Sequence, residues 1–435
     1  MKCIWVVGIR QSSVFVPGPT ISPSSHDLPG AYRIRTLFFV FYISTPYKHS
    51  FCLCLYSGYD IKVENTNLLH IMSPHNIHDS PSSVEDDDAT EPVDERKPRI
   101  PYVKGWCFTA QQHIPPPPIK LDPGLECTVD TIENSKKMKE VDPWELCLQH
   151  PPLPGVDDSS SLELRIHDTI RIGDKCNAQL VVTEILTADP PVKGLSQGQR
   201  VVAKLYDPMY IDDDGFYINP FVVADKAYTW ETATYAALSD LQGSAIPHYY
   251  GSYSVDIPLG PKPTESKRSV RLILVEMILG SSMQNVNPHS DQFSKKACQD
   301  IMKSIIEFDS LVYSRDILLR DLHPRNVMLA DRGPVFIDFE DAEVGMGAVS
   351  AHNEFNLLKS RSNPYVSPLV RWHEDRDRSN FVDWTNWEWH PWLQAEFAHT
   401  ADSVTPGMLK LYLSRYFHEE MGDDEQKGFR MVIGH

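Results

Sequence analysis

The sequence predicts an α+β protein of two unequal lobes, a small antiparallel-sheet lobe and then a mainly helical one, behind a largely disordered N-terminal region. Three observations predict it. From about residue 162, apolar and polar residues alternate with the period of a half-buried strand. After residue 290 the period becomes that of a long amphipathic helix. Before residue 160 neither period persists, and Pro, Ser and acidic residues dominate. At 435 residues the chain has room for two or three domains.

Residues 1–71 mix short apolar bursts with Pro, Ser and His, and are expected to be a gene-model extension or a poorly ordered segment. Met72-Ser73-Pro74 has the look of a natural N-terminus. Residues 72–160 are expected to be a disordered acidic and Pro-rich region. Within it, residues 79–95 carry eight Asp and Glu and no Lys or Arg. The Pro115–Pro118 run is either a stiff linker or a polyproline ligand for an aromatic groove, and its setting favours the linker. Trp106, Phe108 and Trp144 are expected to pack onto the domain that follows.

Residues 161–280 form the expected first lobe and hinge. Strands are predicted at 162–172, 181–186 and 200–206. A helix at 229–241 places Tyr235, Leu238 and Leu241 on one face, and 270–276 is a strongly β-prone run. Residues 281–420 form the expected second lobe. Its long helix, 291–317, aligns Phe293, Ala297, Ile301, Ile305, Phe308 and Val312. Residues 421–435 read as a tail. A cleft between two lobes is where ligand sites commonly lie.

The net charge of -18 disfavours nucleic acid as a partner, because duplex binding needs a basic face. The longest apolar run, residues 37–43, is far below the roughly 20 residues of a membrane helix, so no membrane partner is expected. Eight scattered Cys with no C-x-x-C pair predict ordinary thiols in a reduced compartment, cytoplasmic or nuclear.

The chemistry concentrates in Leu319-Arg320-Asp321-Leu322-His323-Pro324-Arg325-Asn326 and, twelve residues after Asn326, in Asp338-Phe339-Glu340. Phosphoryl transfer from ATP needs one carboxylate to accept or orient the proton of the attacking hydroxyl. It also needs oxygen donors for the magnesium that neutralises the phosphates. Asp321 suits the first role, and Asn326 and Asp338 the second. Asp338 follows the apolar Val335-Phe336-Ile337, and a carboxylate at a buried strand end is costly unless a cation sits beside it.

From about residue 162 to 400 the chain resembles the protein kinase-like superfamily, in particular fungal protein-kinase-domain proteins close to the aminoglycoside-phosphotransferase branch. The resemblance implies ATP and Mg as cofactors and a bilobal protein kinase-like fold. It implies that Lys204 holds the α- and β-phosphates, that Glu231 pairs with Lys204, and that Gly173 lies in the nucleotide loop. The hinge backbone at Glu276 and Ile278 would meet the adenine.

Departures from the pattern are plain. Leu319 replaces the motif's His, the loop carries one Gly, and Glu340 stands where Gly is usual. His323 is typical of small-molecule kinases. The expected function is transfer of the γ-phosphoryl group to a hydroxyl of a protein or a small molecule. Two alternatives stay open: a pseudokinase acting as a nucleotide-binding or scaffold module, and an aminoglycoside- or choline-type small-molecule kinase. Trp384, Trp387, Trp389 and Trp392 are expected to pack the last helices rather than to form a quaternary-amine cage.

Overall fold

The computed structural model describes residues 38–45, 48–55, 96–119, 132–211, 219–258, 266–345, 365–373, 378–405 and 408–409. Two units divide the chain, Met1–Asp87 and Asp88–His435. In the first, β1 (Phe38–Thr45) and β2 (Lys48–Leu55) form an antiparallel hairpin. The acidic block at 79–95 lies outside the described residues.

Six strands of the second unit close into an antiparallel barrel. They are β3 (Cys107–Ile114), β4 (Val156–Arg171), β5 (Gln179–Asp189), β6 (Arg200–Tyr206), β7 (Tyr249–Pro258) and β8 (Lys267–Glu276). Their order is β3-β4-β5-β6-β8-β7, and β7 returns to β3 through Gln111↔Ser254 and Gln112↔Tyr253. Side-chain alternation explains the barrel's filling. On β6, Val201, Ala203 and Leu205 join Leu162, Leu164 and Ile166 of β4 and Val270, Leu272 and Leu274 of β8 in one buried cluster. The intervening Lys204 and Tyr206 therefore face the other way.

On that opposite side stands α3 (Pro220–Ala237), preceded by the short helices α1 (Ile132–Glu140) and α2 (Pro143–Gln149). Asn219 caps α3, its side chain accepting from the backbone N–H groups of Phe221 and Val222, and Pro220 sits at the first helical position. Strand β9 (Gly280–Ser282) leads to α4 (Lys295–Ser314), which Ser294 caps by accepting from Ala297 N–H at 3.1 Å. Four short strands follow: β10 (Ile317–Leu319), β11 (Val327–Ala330), β12 (Gly333–Phe336) and β13 (Ala342–Val344). Two short helices follow, α5 (Pro368–Arg371) and α6 (Trp389–Glu396), and then a 3-10 turn at Ala398–Ser403.

This architecture overturns the bilobal protein kinase-like fold expected above. The first half is a closed six-stranded antiparallel barrel rather than a small open sheet. The second half is not mainly helical: α4 is its one long helix among the described residues, beside five short strands. The region expected to be disordered also enters the fold. Its residues 107–114 are β3, with Phe108, Ala110 and His113 buried, and Trp106 stacks on Phe108 at 4.7 Å between centroids. Trp144, by contrast, is exposed. Beyond the Pro115–Pro118 run, Ile119 C=O accepts from Trp230 Nε1 on α3 at 2.8 Å, so the stiff run spans from barrel to helix.

A chain truncated to begin at residue 161 lacks β3 and the start of β4. It is expected to lose cooperative thermal unfolding, whereas one beginning at Asp88 keeps it. A sharp melting transition in the shorter chain would contradict the barrel.

The four Trp pack, three of them together and Trp384 edge-on against Phe293 at 5.3 Å. Trp389 lies 6.4 Å from Trp387 and 5.1 Å from Trp392, and its Nε1 donates to Trp372 C=O at 3.1 Å. No helix among the described residues is long and apolar enough to cross a membrane.

Candidate phosphate and metal site

Two antiparallel pairings bring the motif residues together. Val327 on β11 opposes Phe336 on β12, so the residues flanking that hairpin lie side by side, and Ile337 N–H donates to Asn326 C=O at 2.9 Å. Leu319 on β10 opposes Ala342 on β13, which brings Asp321 towards the 338–341 turn. Phe339 anchors that turn, buried edge-on against Tyr235 of α3 at 5.3 Å. Asp338 takes φ +66°, in the left-handed region that Asp tolerates better than most residues. Glu340 does not have positive φ, so its backbone has no need of the glycine that the motif usually carries. The resulting shallow, open cleft is lined by Asp321, Asn326, Asp338, Phe339 and Asp341 among others.

Lys204 reaches this turn from β6. Its ammonium lies 2.6 Å from Glu231 Oε2, 2.5 Å from Asp338 Oδ1 and 3.0 Å from Glu340 Oε2. Tyr206, two residues along the same strand face, donates its hydroxyl to Glu231 Oε2 at 2.8 Å. Glu231 lies well inside α3, which begins at Pro220, so stabilisation by the helix dipole at the first turn does not explain it. Burial opposes the charge on Lys204, yet Asp338, Glu231 and Glu340 outweigh it and raise its pKa well above the usual lysine value. Burial likewise pushes Asp338 upward, but the ammonium wins and holds it below the ordinary carboxylate range. Glu340 is pushed up by burial and by repulsion from Asp338. Three carboxylates thus share one cation. Glu231, Asp338 and Glu340 offer oxygens within 4.8 Å of one another, and the Lys204 ammonium occupies the space between them.

Asp321 lines the same cleft. Asn326 Nδ2 donates to its Oδ2 and to its backbone C=O, both at 2.9 Å, and Arg325 pairs with Oδ1. His323 caps the 3-10 turn Pro324–Asn326, accepting from Arg325 N–H at 3.3 Å. Burial and then the neighbouring Arg325 charge lower its pKa. Arg320, whose role the sequence leaves open, pairs with Glu343 at 2.6 Å on the surface.

The remaining predicted residues lie apart from this cluster's contacts. Gly173 exchanges two hydrogen bonds with the Gln179 side chain, each 2.8 Å, so its N–H is already engaged. A Cβ there would meet Cys176 Sγ at 3.5 Å, an ordinary contact, so the position does not demand glycine. Glu276 is a structural pin: its carboxylate takes both guanidinium nitrogens of Arg332, at 2.6 and 2.9 Å, and accepts from His248 N–H at 3.0 Å. Its side chain is therefore occupied, and only the backbone of this segment is suited to a base. Ile278, two residues on, is half-buried.

Tyr206, Arg325 and Asn177, whose Nδ2 donates to Glu340 Oε1 at 3.3 Å, have no role legible in the motifs. Tyr206 had a usable signal, since period-2 spacing puts it beside Lys204 on the strand. Arg325 lies four residues after Asp321, within reach only once the loop turns back.

No protein-family model matches the chain, and no curated protein matches it.

Proposed function

We propose that the chain is an ATP- and magnesium-dependent phosphotransferase that moves the γ-phosphoryl group to a hydroxyl of a protein or small molecule. One observation carries it: the buried Lys204–Glu231 pair meets the carboxylate of Asp338, and Asp338 lines one cleft with the Asp321–Asn326 pair, although these residues come from separate parts of the sequence. Asn326 and Asp338 would hold magnesium, whose chemistry is to neutralise the charge of the phosphates. The donor set fits, because both side chains offer oxygen and Asn326 spends its amide nitrogen on Asp321. Lys204, steadied by Glu231, positions the α- and β-phosphates. Asp321, held by Asn326 and Arg325, orients the acceptor hydroxyl and takes its proton. Gly173 is assigned to the nucleotide loop, and the backbone at Glu276 and Ile278 to adenine. Positioning and charge neutralisation provide most of the catalysis in such a reaction.

A scaffold role is the second reading. It is favoured by one specific feature: Lys204 and Asp321 already have protein counter-ions in place. Incubation with γ-labelled ATP and magnesium, against generic protein substrates and a pool of hydroxyl metabolites, separates the readings. Label transfer to either class is expected and identifies the acceptor. No consumption of ATP with any acceptor would overturn the enzyme reading in favour of the scaffold.

A further inference from the structure

We infer that Glu340 is a built-in competitor for the phosphate position on Lys204, and that its carboxylate leaves the ammonium when a nucleotide enters. The inference rests on the phosphotransferase reading and deepens it. An ammonium has three N–H donors; Glu231 and Asp338 accept two of them and Glu340 crowds the third side as an ion pair at 3.0 Å, so a phosphate oxygen coming to the remaining donor meets the Glu340 carboxylate.

Glu340 is the one placed to leave. Glu231 is the most deeply buried of the three, with its side chain 2% exposed, and Tyr206 holds the same oxygen. Asp338 makes the shortest contact, 2.5 Å, with a well-formed hydrogen bond. Glu340 makes the longest, 3.0 Å, and its buried Oε2 lacks a hydrogen bond of good geometry. Its other oxygen accepts from Asn177 Nδ2 at 3.3 Å. Asn177 lies in the turn between β4 and β5 that also contains Gly173. Glu340 therefore ties that turn to Lys204, and its release frees the ammonium and the turn together. Its negative charge also stands where phosphate charge would arrive, and like charges at such range repel strongly when partly buried.

The test is calorimetric binding of ATP with magnesium, and of adenosine, to the full chain, to Glu340→Gln and to Asn177→Ala. Glu340→Gln keeps the shape and removes the charge. Its dissociation constant for ATP is expected to fall on the order of tenfold, with a smaller fall in Asn177→Ala and adenosine affinity unchanged. A lower KM for ATP without a higher kcat should accompany the change. A purely structural Glu340 would move both ligands alike, and that outcome overturns the inference. Unchanged or weaker ATP binding in Glu340→Gln, with the full chain binding ATP, overturns it alone. ATP binding to none of the three proteins overturns the phosphotransferase reading as well, and binding to Glu340→Gln only supports both.

Discussion

Lys204→Met should lower folding stability by about 3–5 kcal/mol at pH 8, the usual cost of removing one partner from a buried ion pair. The side chain is 5% exposed, so solvent does little to soften the loss. The pH dependence carries more information than the size. In the intact protein the pKa of Lys204 is raised above its unfolded value. Such a group contributes fully below the unfolded pKa, about 10.4, and its contribution is lost only as pH rises through the folded value. Its own contribution is therefore flat between pH 5 and 8. In the variant, Glu231, Asp338 and Glu340 face one another without the ammonium. Glu231 and Glu340, already raised by burial in the intact protein, then rise further, Asp338 loses the ammonium that holds it down, and protonation relieves the repulsion as pH falls. The destabilisation should be largest at pH 8 and shrink towards pH 5. Urea unfolding of both proteins at the two pH values checks this, and an equal loss at both would contradict the carboxylate cluster.

Asp321→Asn should reduce the rate of phosphoryl transfer by about 10²- to 10⁴-fold, the range for a positioned general base. ATP binding should change little, because Asp321 contacts Arg325 and Asn326 and not Lys204. Steady-state kinetics on the acceptor found by label transfer would show the loss in kcat. A raised KM for ATP with kcat intact would instead assign Asp321 to nucleotide binding.

The parts of the molecule with strong local periods were legible beforehand. Strand β6 falls at residues 200–206 as its Val-rich alternation predicts, and α4 fills most of the predicted 291–317 span. The cluster was legible as well, because Lys204, Glu231, Asp321, Asn326 and Asp338 each stand in a recognisable local setting. Barrel closure was not. It depends on β3, whose Gln111-Gln112-His113 breaks the apolar alternation, and on β7, where Gly251 at φ +115° marks a register shift. These strands meet through polar residues more than a hundred positions apart, a pairing that no local window contains. The bilobal expectation failed for the same reason: it was carried by local periods and by the order of motifs, neither of which fixes how distant strands pair. The occupation of Lys204 by Glu340 was likewise hidden, since a residue's charge is visible in sequence but its counter-ion 136 positions away is not.

Magnesium-dependent stabilisation by ATP tests the central claim most directly, measured as a thermal shift of the full chain beside Asp338→Ala. A ligand at 100 times its dissociation constant adds about 2.7 kcal/mol to folding stability. The account predicts a clear upward shift with ATP and magnesium together, a smaller one with ATP alone, and loss of the magnesium-dependent part in Asp338→Ala. No shift at millimolar ATP in a protein that melts cooperatively would contradict it, as would a magnesium effect unchanged by the substitution.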